Sequence, residues 1–170
     1  MTVTGLLLGA ALLAAQVTRP PVAGVTNFAK LDTTIACAGA ITPDGVAELK
    51  KLGYASIVNL RQASENGANV EMEADAAKAA GLRYVHLPLS GSSPDPAVVD
   101  QFLRAIVEPE NQPALIHCAT GNRAAALWMI KRLVVDGWDE ERATKEATEL
   151  GLTSAPMKAF ALDYAASHRK

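Results

Sequence analysis

The residues with the clearest chemical potential lie in a seven-residue stretch, His117 to Arg123, which reads His-Cys-Ala-Thr-Gly-Asn-Arg. A short apolar run, residues 114–116, precedes this stretch, and a helical apolar pattern follows it. The first backbone N–H groups of a helix have no partner within the helix and carry the positive end of its dipole. A loop between a strand and a helix can therefore hold an anion. The stretch predicts an oxyanion-binding loop.

Cys118 stands at the start of this loop and Arg123 at its end. Because a helix N-terminus and a nearby cation favour the thiolate, we predict that Cys118 is a nucleophile. The planar guanidinium of Arg123 is suited to bind two oxygens of one oxyanion, and Gly121 lets the backbone turn without a side chain against that anion. The alternative is an inert buried cysteine before an ordinary helix, but packing does not require an arginine and a glycine at that helix start.

Length and composition limit the class of protein. The chain has 170 residues, of which 49% are hydrophobic, enough for one domain with a core. A net charge of −2 argues against a nucleic-acid-binding surface, which needs clustered Lys and Arg. The two cysteines and three histidines show no paired spacing for a metal site. We therefore predict no metal and no cofactor.

The N-terminus differs from the rest of the chain. Residues 5–15 form an apolar run that is too short to cross a bilayer but has the length of a signal-peptide core. We predict a signal peptide over residues 1–19, a linker over 20–32 and a catalytic domain over 33–170. The mature protein would then be periplasmic or secreted, without a membrane span. No Lys or Arg precedes the run, so a docked hydrophobic helix and a cytoplasmic location stay open.

Strand and helix patterns alternate from residue 33 onward. Strands are predicted over 33–38, 55–60, 82–89 and 114–116, and helices over 42–52, 70–80, 97–107, after the cysteine loop, over 140–150 and over 155–167. The alternation predicts an α/β fold with a mostly parallel sheet flanked by helices. Ligands bind at the carboxyl ends of the strands in such sheets. Arg61 and Glu65, which follow the second strand, would brace the cysteine loop there or form a solvated salt bridge.

The stretch from His117 to Arg123 resembles the phosphate-binding loop of cysteine-dependent protein phosphatases. Together with Asn59-Leu60-Arg61 at the end of an earlier strand, it is similar to the small dual-specificity-like group that also occurs fused to metallo-β-lactamase-like hydrolases. The resemblance covers about residues 34–151. It implies a dual-specificity-phosphatase-type fold and phosphoester hydrolysis through a phosphocysteine on Cys118, with Arg123 binding the phosphate. The partner would be a phosphorylated protein or small molecule.

The resemblance also implies roles for other residues. The family supplies its general acid from a loop before the nucleophile, and Asp95, 23 residues before Cys118, matches by position, with Glu65 as a second candidate. Asp95 could equally be the N-cap of the helix that follows it. The phosphate-binding residues implied by the loop, of which His117 would also tune the thiol, are His117, Ala119, Thr120, Gly121 and Asn122.

Two departures from the phosphatase pattern keep alternatives open. Only four residues separate Cys118 from Arg123, where phosphatases have five, and this shorter loop resembles that of rhodanese sulfurtransferases. Ala124 stands where many phosphatases have a Ser or Thr that assists the leaving thiolate. The alternatives are sulfur transfer through a Cys118 persulfide and a catalytically weak oxyanion-binding or redox-sensing domain. If the chain is exported to an oxidising compartment, Cys37 would either form a reversible disulfide with Cys118 or be a buried strand cysteine.

Overall fold

A computed structural model describes residues 16–168. Six strands form one sheet in the order β1-β2-β3-β6-β4-β5, in which β3, β6, β4 and β5 are parallel and β1 and β2 are antiparallel at one edge. The strands are β1 Val17–Thr18, β2 Ala29–Leu31, β3 Ile35–Ala38, β4 Ser56–Asn59, β5 Arg83–His86 and β6 Ala114–His117. The predicted α/β fold with a mostly parallel sheet is confirmed.

Among the described residues, six α-helices cover the two faces of the sheet. They are α1 Pro43–Lys51, α2 Val70–Ala79, α3 Pro96–Val107, α4 Asn122–Val134, α5 Glu140–Glu149 and α6 Ala155–His168. Helices α1 and α2 contribute to the smaller apolar cluster on one face. The other four contribute to the larger cluster on the opposite face. Within residues 16–168, every helix is too short or too polar to cross a membrane.

Side-chain alternation along β6 decides which face each residue near the loop occupies. Leu115 belongs to the cluster under α1 and α2, whereas Ile116 belongs to the cluster under α3 to α6. Successive side chains of a strand point to opposite faces. His117 accordingly contacts α2, and Cys118 joins the larger cluster. His117 and Cys118 therefore lie on opposite faces of the sheet.

The structure corrects the predicted linker. Residues 29–31 of the range 20–32 form β2, which pairs with β3, and Phe28 and Leu31 are buried. The local sequence does not indicate this strand, because it is short and lies after a Pro-Pro pair, without the turn signals of a tight hairpin. Residues 17 and 18, inside the predicted signal peptide, form β1. Residues 1–15 of that prediction lie outside the described part of the chain.

Helix α4, which begins at the cysteine loop, is buried nearly all round. Every residue from Ala124 to Ile130 is at most 3% exposed, because the sheet covers one side and α5 and α6 cover the other. A helix that is apolar on all sides belongs in a core. Its N-terminus, where Arg123 lies, is therefore held by packing along the whole element.

Candidate active site

The sulfur of Cys118 lies inside the turn of its own loop. Gly121 N–H donates to Cys118 Sγ at 3.1 Å, and the cysteine is only 1% exposed. Gly121 has a φ of 101° and is the N-cap of α4. That left-handed conformation strains any residue with a Cβ, which explains why glycine occupies this position. A backbone amide thus points at the sulfur, as the sequence predicted for an anion-binding loop.

Arg123, in the first turn of α4, is fixed by three groups. Glu65 accepts from both terminal nitrogens, with Nη2 to Oε2 at 2.8 Å, and the carbonyls of Leu89 and Leu60 accept from Nη1 at 2.8 and 3.2 Å. A guanidinium has five N–H donors. These contacts leave Nε–H and one hydrogen of Nη2, which lie along one edge, for a bound oxyanion. The arrangement suits bidentate binding of two phosphate oxygens.

Charges around Arg123 keep its guanidinium protonated. Burial acts to lower the pKa of Arg123, but the hydrogen bonds that Arg123 donates to Glu65 and the charge of Cys118 raise it, and the net direction is upward. Cys118 directly follows β6 and Arg123 lies in the first turn of α4, so the two residues close the ends of one short loop. A thiolate at position 118 would therefore face a permanent positive charge.

Glu65 is ionised under all ordinary conditions. The hydrogen bond from Arg123 is the largest cause and, with those from the Gln62 backbone and Arg61, outweighs burial to lower the pKa of Glu65 to about 2. A carboxylate with that pKa does not donate a proton near neutral pH. The structure thus gives no support to Glu65 as the general acid and makes it the residue that orients Arg123.

Arg61 braces the loop that presents Glu65. Its side chain is buried and donates to the carbonyls of Asn66 and Gly67, each at 2.7 Å, and to Glu65 Oε2 at 3.4 Å. Of the two readings that the sequence left open, the bracing role is therefore confirmed and the solvated salt bridge is wrong. Buried cations require such partners.

An open cleft of about 370 Å³ lies above the loop. Its walls are mostly hydroxyl and amide side chains, and Arg123 is the one cation among the described residues that line it. Those residues are Gln62, Glu65, Ser90, Gly91, Ser92, Thr120, Asn122, Arg123, Ser154 and Met157. The predicted site residues Thr120, Asn122 and Arg123 thus share one cleft.

Asp95 lies away from these walls. It is exposed, and its Oδ1 accepts from Ala97 N at 2.9 Å, so it is the N-cap of α3. The helix-cap interpretation is confirmed. The role of general acid stays a prediction for Asp95, because the loop before it, residues 90–94, contributes Ser90, Gly91 and Ser92 to the cleft.

The ring of His117 lies on the opposite side of the sheet from the cleft. It is fully buried, and its Nε2 lies 2.8 Å from Glu73 Oε1 on α2, which is 2% exposed. Glu73 is not among the site residues predicted from the sequence. Its signal was a carboxylate on the same helix face as Ala77, the one other buried residue of α2. Tuning of the thiol by His117 stays a prediction, with Glu73 as its partner.

Asn122 uses its side chain to hold a neighbouring connection. Its Oδ1 accepts from the backbone N–H groups of Thr153 and Ser154 at 2.8 and 2.7 Å. This contact ties the link between α5 and α6 to the cysteine loop and places Ser154 in the cleft wall. The predicted phosphate contact of Asn122 is thus left to its backbone, where it stays a prediction.

Cys37 and Cys118 are both free and buried. They belong to the same apolar cluster, and burial, followed by the charge of Cys118, raises the pKa of the Cys37 thiol. A protonated thiol in an apolar cluster behaves as a small hydrophobic side chain. The structure therefore agrees with a buried strand cysteine and contains no Cys37–Cys118 disulfide.

A parallel α/β sheet with a thiol, a backbone amide and a guanidinium meeting at the end of a central strand defines a cysteine-dependent phosphatase domain. Residues 27–134 match the family model of the beta-lactamase hydrolase-like protein, phosphatase-like domain, and the chain belongs to that family. The match begins at Asn27, before the predicted start of the catalytic domain at residue 33.

Known proteins resemble this chain in sequence and in fold. A beta-lactamase hydrolase-like protein of Xylella fastidiosa is 35% identical over 109 residues, which are 63% of this chain and 25% of that protein. The chain thus matches about a quarter of that curated relative. The crystal structure of a DUF442 protein from Shewanella putrefaciens has a TM-score of 0.73 at 21% identity and covers 86% of this chain and 96% of its own.

The phosphatase TpbA of Pseudomonas aeruginosa has a similar fold. Its crystal structure has a TM-score of 0.68 at 23% identity and covers 92% of this chain and 91% of its own. The phosphatase-like family model and the sequence similarity to TpbA do not favour the rhodanese-like alternative.

Proposed function

We propose that this protein hydrolyses phosphate monoesters through a covalent phosphocysteine on Cys118. The observation that carries the proposal is the position of the Cys118 sulfur, which accepts a backbone N–H from Gly121 in the short loop that ends at Arg123. These groups are the nucleophile and the anion-binding donors that phosphoryl transfer requires. Membership of the phosphatase-like family supports the same reaction.

The first step transfers the phosphoryl group to sulfur. The Cys118 thiolate attacks phosphorus, the bond from phosphorus to the ester oxygen breaks, and that oxygen leaves with the bonding electrons and takes up a proton. Arg123 and the loop amides hold the equatorial oxygens while charge moves between the attacking and leaving atoms. Glu65 keeps Arg123 in the orientation that this step needs.

The second step returns the enzyme to its starting state. Water attacks the phosphorus of phosphocysteine, the sulfur–phosphorus bond breaks, and inorganic phosphate and the thiolate are released. Ala124 provides no hydroxyl to stabilise the departing thiolate and is fully buried. We therefore expect this step to be slow, with a burst of phenol release before steady turnover.

Hydrolysis of an aryl phosphate by the full chain tests the proposal. Cys118→Ser should lower kcat at least a thousandfold, because a serine hydroxyl at this position has no general base to activate it. Cys37→Ser serves as the control and should retain activity. Formation of thiocyanate from thiosulfate and cyanide, without phosphate release, would show a sulfurtransferase instead. Phosphate binding with neither activity would show an oxyanion-binding domain.

We infer that the substrate carries a single phosphate group. Arg123 is the one cation among the described cleft residues, and the carboxylate of Glu65 lies in the same walls, so a second phosphate would find no counter-charge. TpbA, whose fold is similar, has been crystallised with phosphotyrosine. We expect kcat/KM for phosphotyrosine to exceed that for a pyrophosphate-containing substrate at least tenfold. Equal values would contradict this inference.

We also propose that the chain is exported and is periplasmic or secreted. The apolar run at residues 5–15 supports a signal peptide. Cleavage after residue 19 would remove β1, whereas cleavage after residue 15 would retain Val17 and Thr18, which pair with β2. Fractionation of cells that produce the full chain, followed by N-terminal sequencing of the mature protein, tests both points. A full-length cytoplasmic protein would contradict export.

A further inference from the structure

One peptide group in the cysteine loop links an N-terminal residue to the nucleophile. The peptide between Thr120 and Gly121 supplies the N–H that donates to Cys118 Sγ at 3.1 Å. The carbonyl oxygen of the same peptide, on Thr120, accepts from the side-chain amide of Asn27 at 3.1 Å. Asn27 and Cys118 therefore act on opposite sides of one planar group.

The planarity of that group makes the two contacts interdependent. In a trans peptide the C=O and N–H bonds point in opposite directions, and rotation of the group moves both together. The bond from Asn27 holds the carbonyl outward, and the N–H is consequently directed inward at the sulfur. Without that bond, the positive φ of Gly121 would still permit the turn, but nothing among these contacts would fix the rotation of the peptide.

The segment that carries Asn27 is itself anchored beside the loop. Thr26 N–H donates to Ala40 O at 2.9 Å, and Gly39 N–H donates to Thr26 O at 2.7 Å. Ala40 N–H in turn donates to Ala119 O at 3.1 Å, which directs a second loop carbonyl outward. The turn after β3 thus connects residues 26–27 to the cysteine loop by backbone hydrogen bonds.

The backbone of Asn27 indicates that its side chain has a purpose at this site. Its φ of 49° is in the left-handed region, where asparagine is tolerated better than most residues and glycine best. Glycine would satisfy the backbone here, but it has no amide to donate to Thr120 O. Asparagine at position 27 therefore provides both the left-handed turn and the side-chain donor to Thr120 O.

We propose that Asn27 is a positioning residue for the thiolate of Cys118, acting through the Thr120–Gly121 peptide. Its amide stabilises the orientation in which Gly121 N–H donates to the sulfur. A hydrogen bond to an ionised acceptor is stronger than one to a neutral acceptor, so this orientation favours the thiolate over the thiol. The proposal rests on the function proposed above, in which Cys118 is the nucleophile.

The pH dependence of Cys118 alkylation by iodoacetamide tests the proposal without turnover. Asn27→Gly keeps the left-handed turn and removes only the donor, and we expect about a three- to tenfold loss of thiolate reactivity at neutral pH, with a corresponding rise in the midpoint of the pH profile. Asn27→Asp places an acceptor against the Thr120 carbonyl and should raise the midpoint further. Cys37→Ser in the same background ensures that only Cys118 reacts.

Asn69→Gly is the matched control, because Asn69 also has a left-handed φ, 46°, but lies at the start of α2 without a side-chain cap bond. Folding of each variant is followed by circular dichroism. An Asn27→Gly protein with the wild-type midpoint would overturn the proposal, even if its activity fell. A wild-type Cys118 that ionises only in alkali would instead refute the proposed function, so the two failures are distinguishable.

Discussion

Arg123 divides its donors between two tasks. Its Nη1 group donates to Glu65, Leu60 and Leu89, whereas its remaining edge is available for phosphate. Because the first set of contacts is made before substrate binds, the guanidinium does not have to be ordered during binding. Preorganised donors of this kind contribute most when charge develops in a site shielded from water.

Glu65→Gln tests whether the ionic contact with Glu65 orients Arg123. The amide retains one acceptor but loses the ionic bidentate contact, which for a charged pair contributes roughly 1.5–3 kcal/mol. We expect kcat/KM for an aryl phosphate to fall about tenfold or more. Glu71→Gln, an exposed change on α2, should leave it unchanged. Wild-type activity in Glu65→Gln would contradict the orienting role.

Asp95→Asn tests the acid predicted from the sequence. If Asp95 protonates the leaving group, the variant should lose the most activity on alkyl phosphates and the least on aryl phosphates with acidic phenols. Since asparagine is also a good N-cap, α3 should be unaffected. A small, uniform loss over a series of leaving groups would leave Asp95 with its cap role alone.

At the scale of elements, α2 and β6 are joined through a polar contact inside the core. His117 precedes the nucleophile, and its ring contacts Glu73 on α2 across the face of the sheet opposite the cleft. His117 Nδ1, at the other side of the ring, is buried with no partner among the described residues. The orientation of this ring consequently depends on Glu73.

Glu73→Ala should destabilise the protein markedly. The change leaves His117 with no partner for either ring nitrogen, and leaving a buried hydrogen-bonding group unsatisfied in this way costs about 1–3 kcal/mol. Urea unfolding measures the loss, and Glu71→Ala on the exposed side of α2 should change the free energy of unfolding by less than about 0.5 kcal/mol. A cost equally small in Glu73→Ala would mean that the contact contributes little.

At the scale of the whole molecule, the cleft is assembled from distant parts of the chain. Glu65 follows β4, Ser90 and Ser92 follow β5, Arg123 begins α4, and Ser154 lies between α5 and α6. The parallel strands bring these segments to one edge of the sheet. The Glu65–Arg123 contact joins two of these segments, so it should contribute to the stability of the whole fold.

Unfolding at acid pH tests whether the Glu65–Arg123 contact stabilises the fold. Because the folded-state pKa of Glu65 is lowered from 4.5 to about 2, its ionic contact stabilises the fold above about pH 4.5 and is lost as pH falls toward 2. The difference in free energy of unfolding between wild type and Glu65→Gln should be about 1–3 kcal/mol at pH 7 and vanish near pH 2. A difference independent of pH would assign the effect to packing.

The sequence alone determined much of the architecture and the centre of the site. Four of the strands and the six helices follow from local periodicity and capping, such as Thr42 before Pro43, and the structure places each near its predicted range. Cys118, Gly121 and Arg123 can be predicted from the sequence because they lie within six consecutive residues of the chain. Interactions of this kind are local, and a pattern of residues records them.

Only the tertiary structure decided which distant residues support that centre. Strands β1 and β2 exist because an edge of the sheet is available to pair with them, which no local pattern in residues 17–31 indicates. Glu65 binds Arg123 across 58 residues, Glu73 binds His117 across 44 and Asn27 binds Thr120 across 93. Each contact depends on which strand ends lie side by side, and strand order is a property of the assembled sheet.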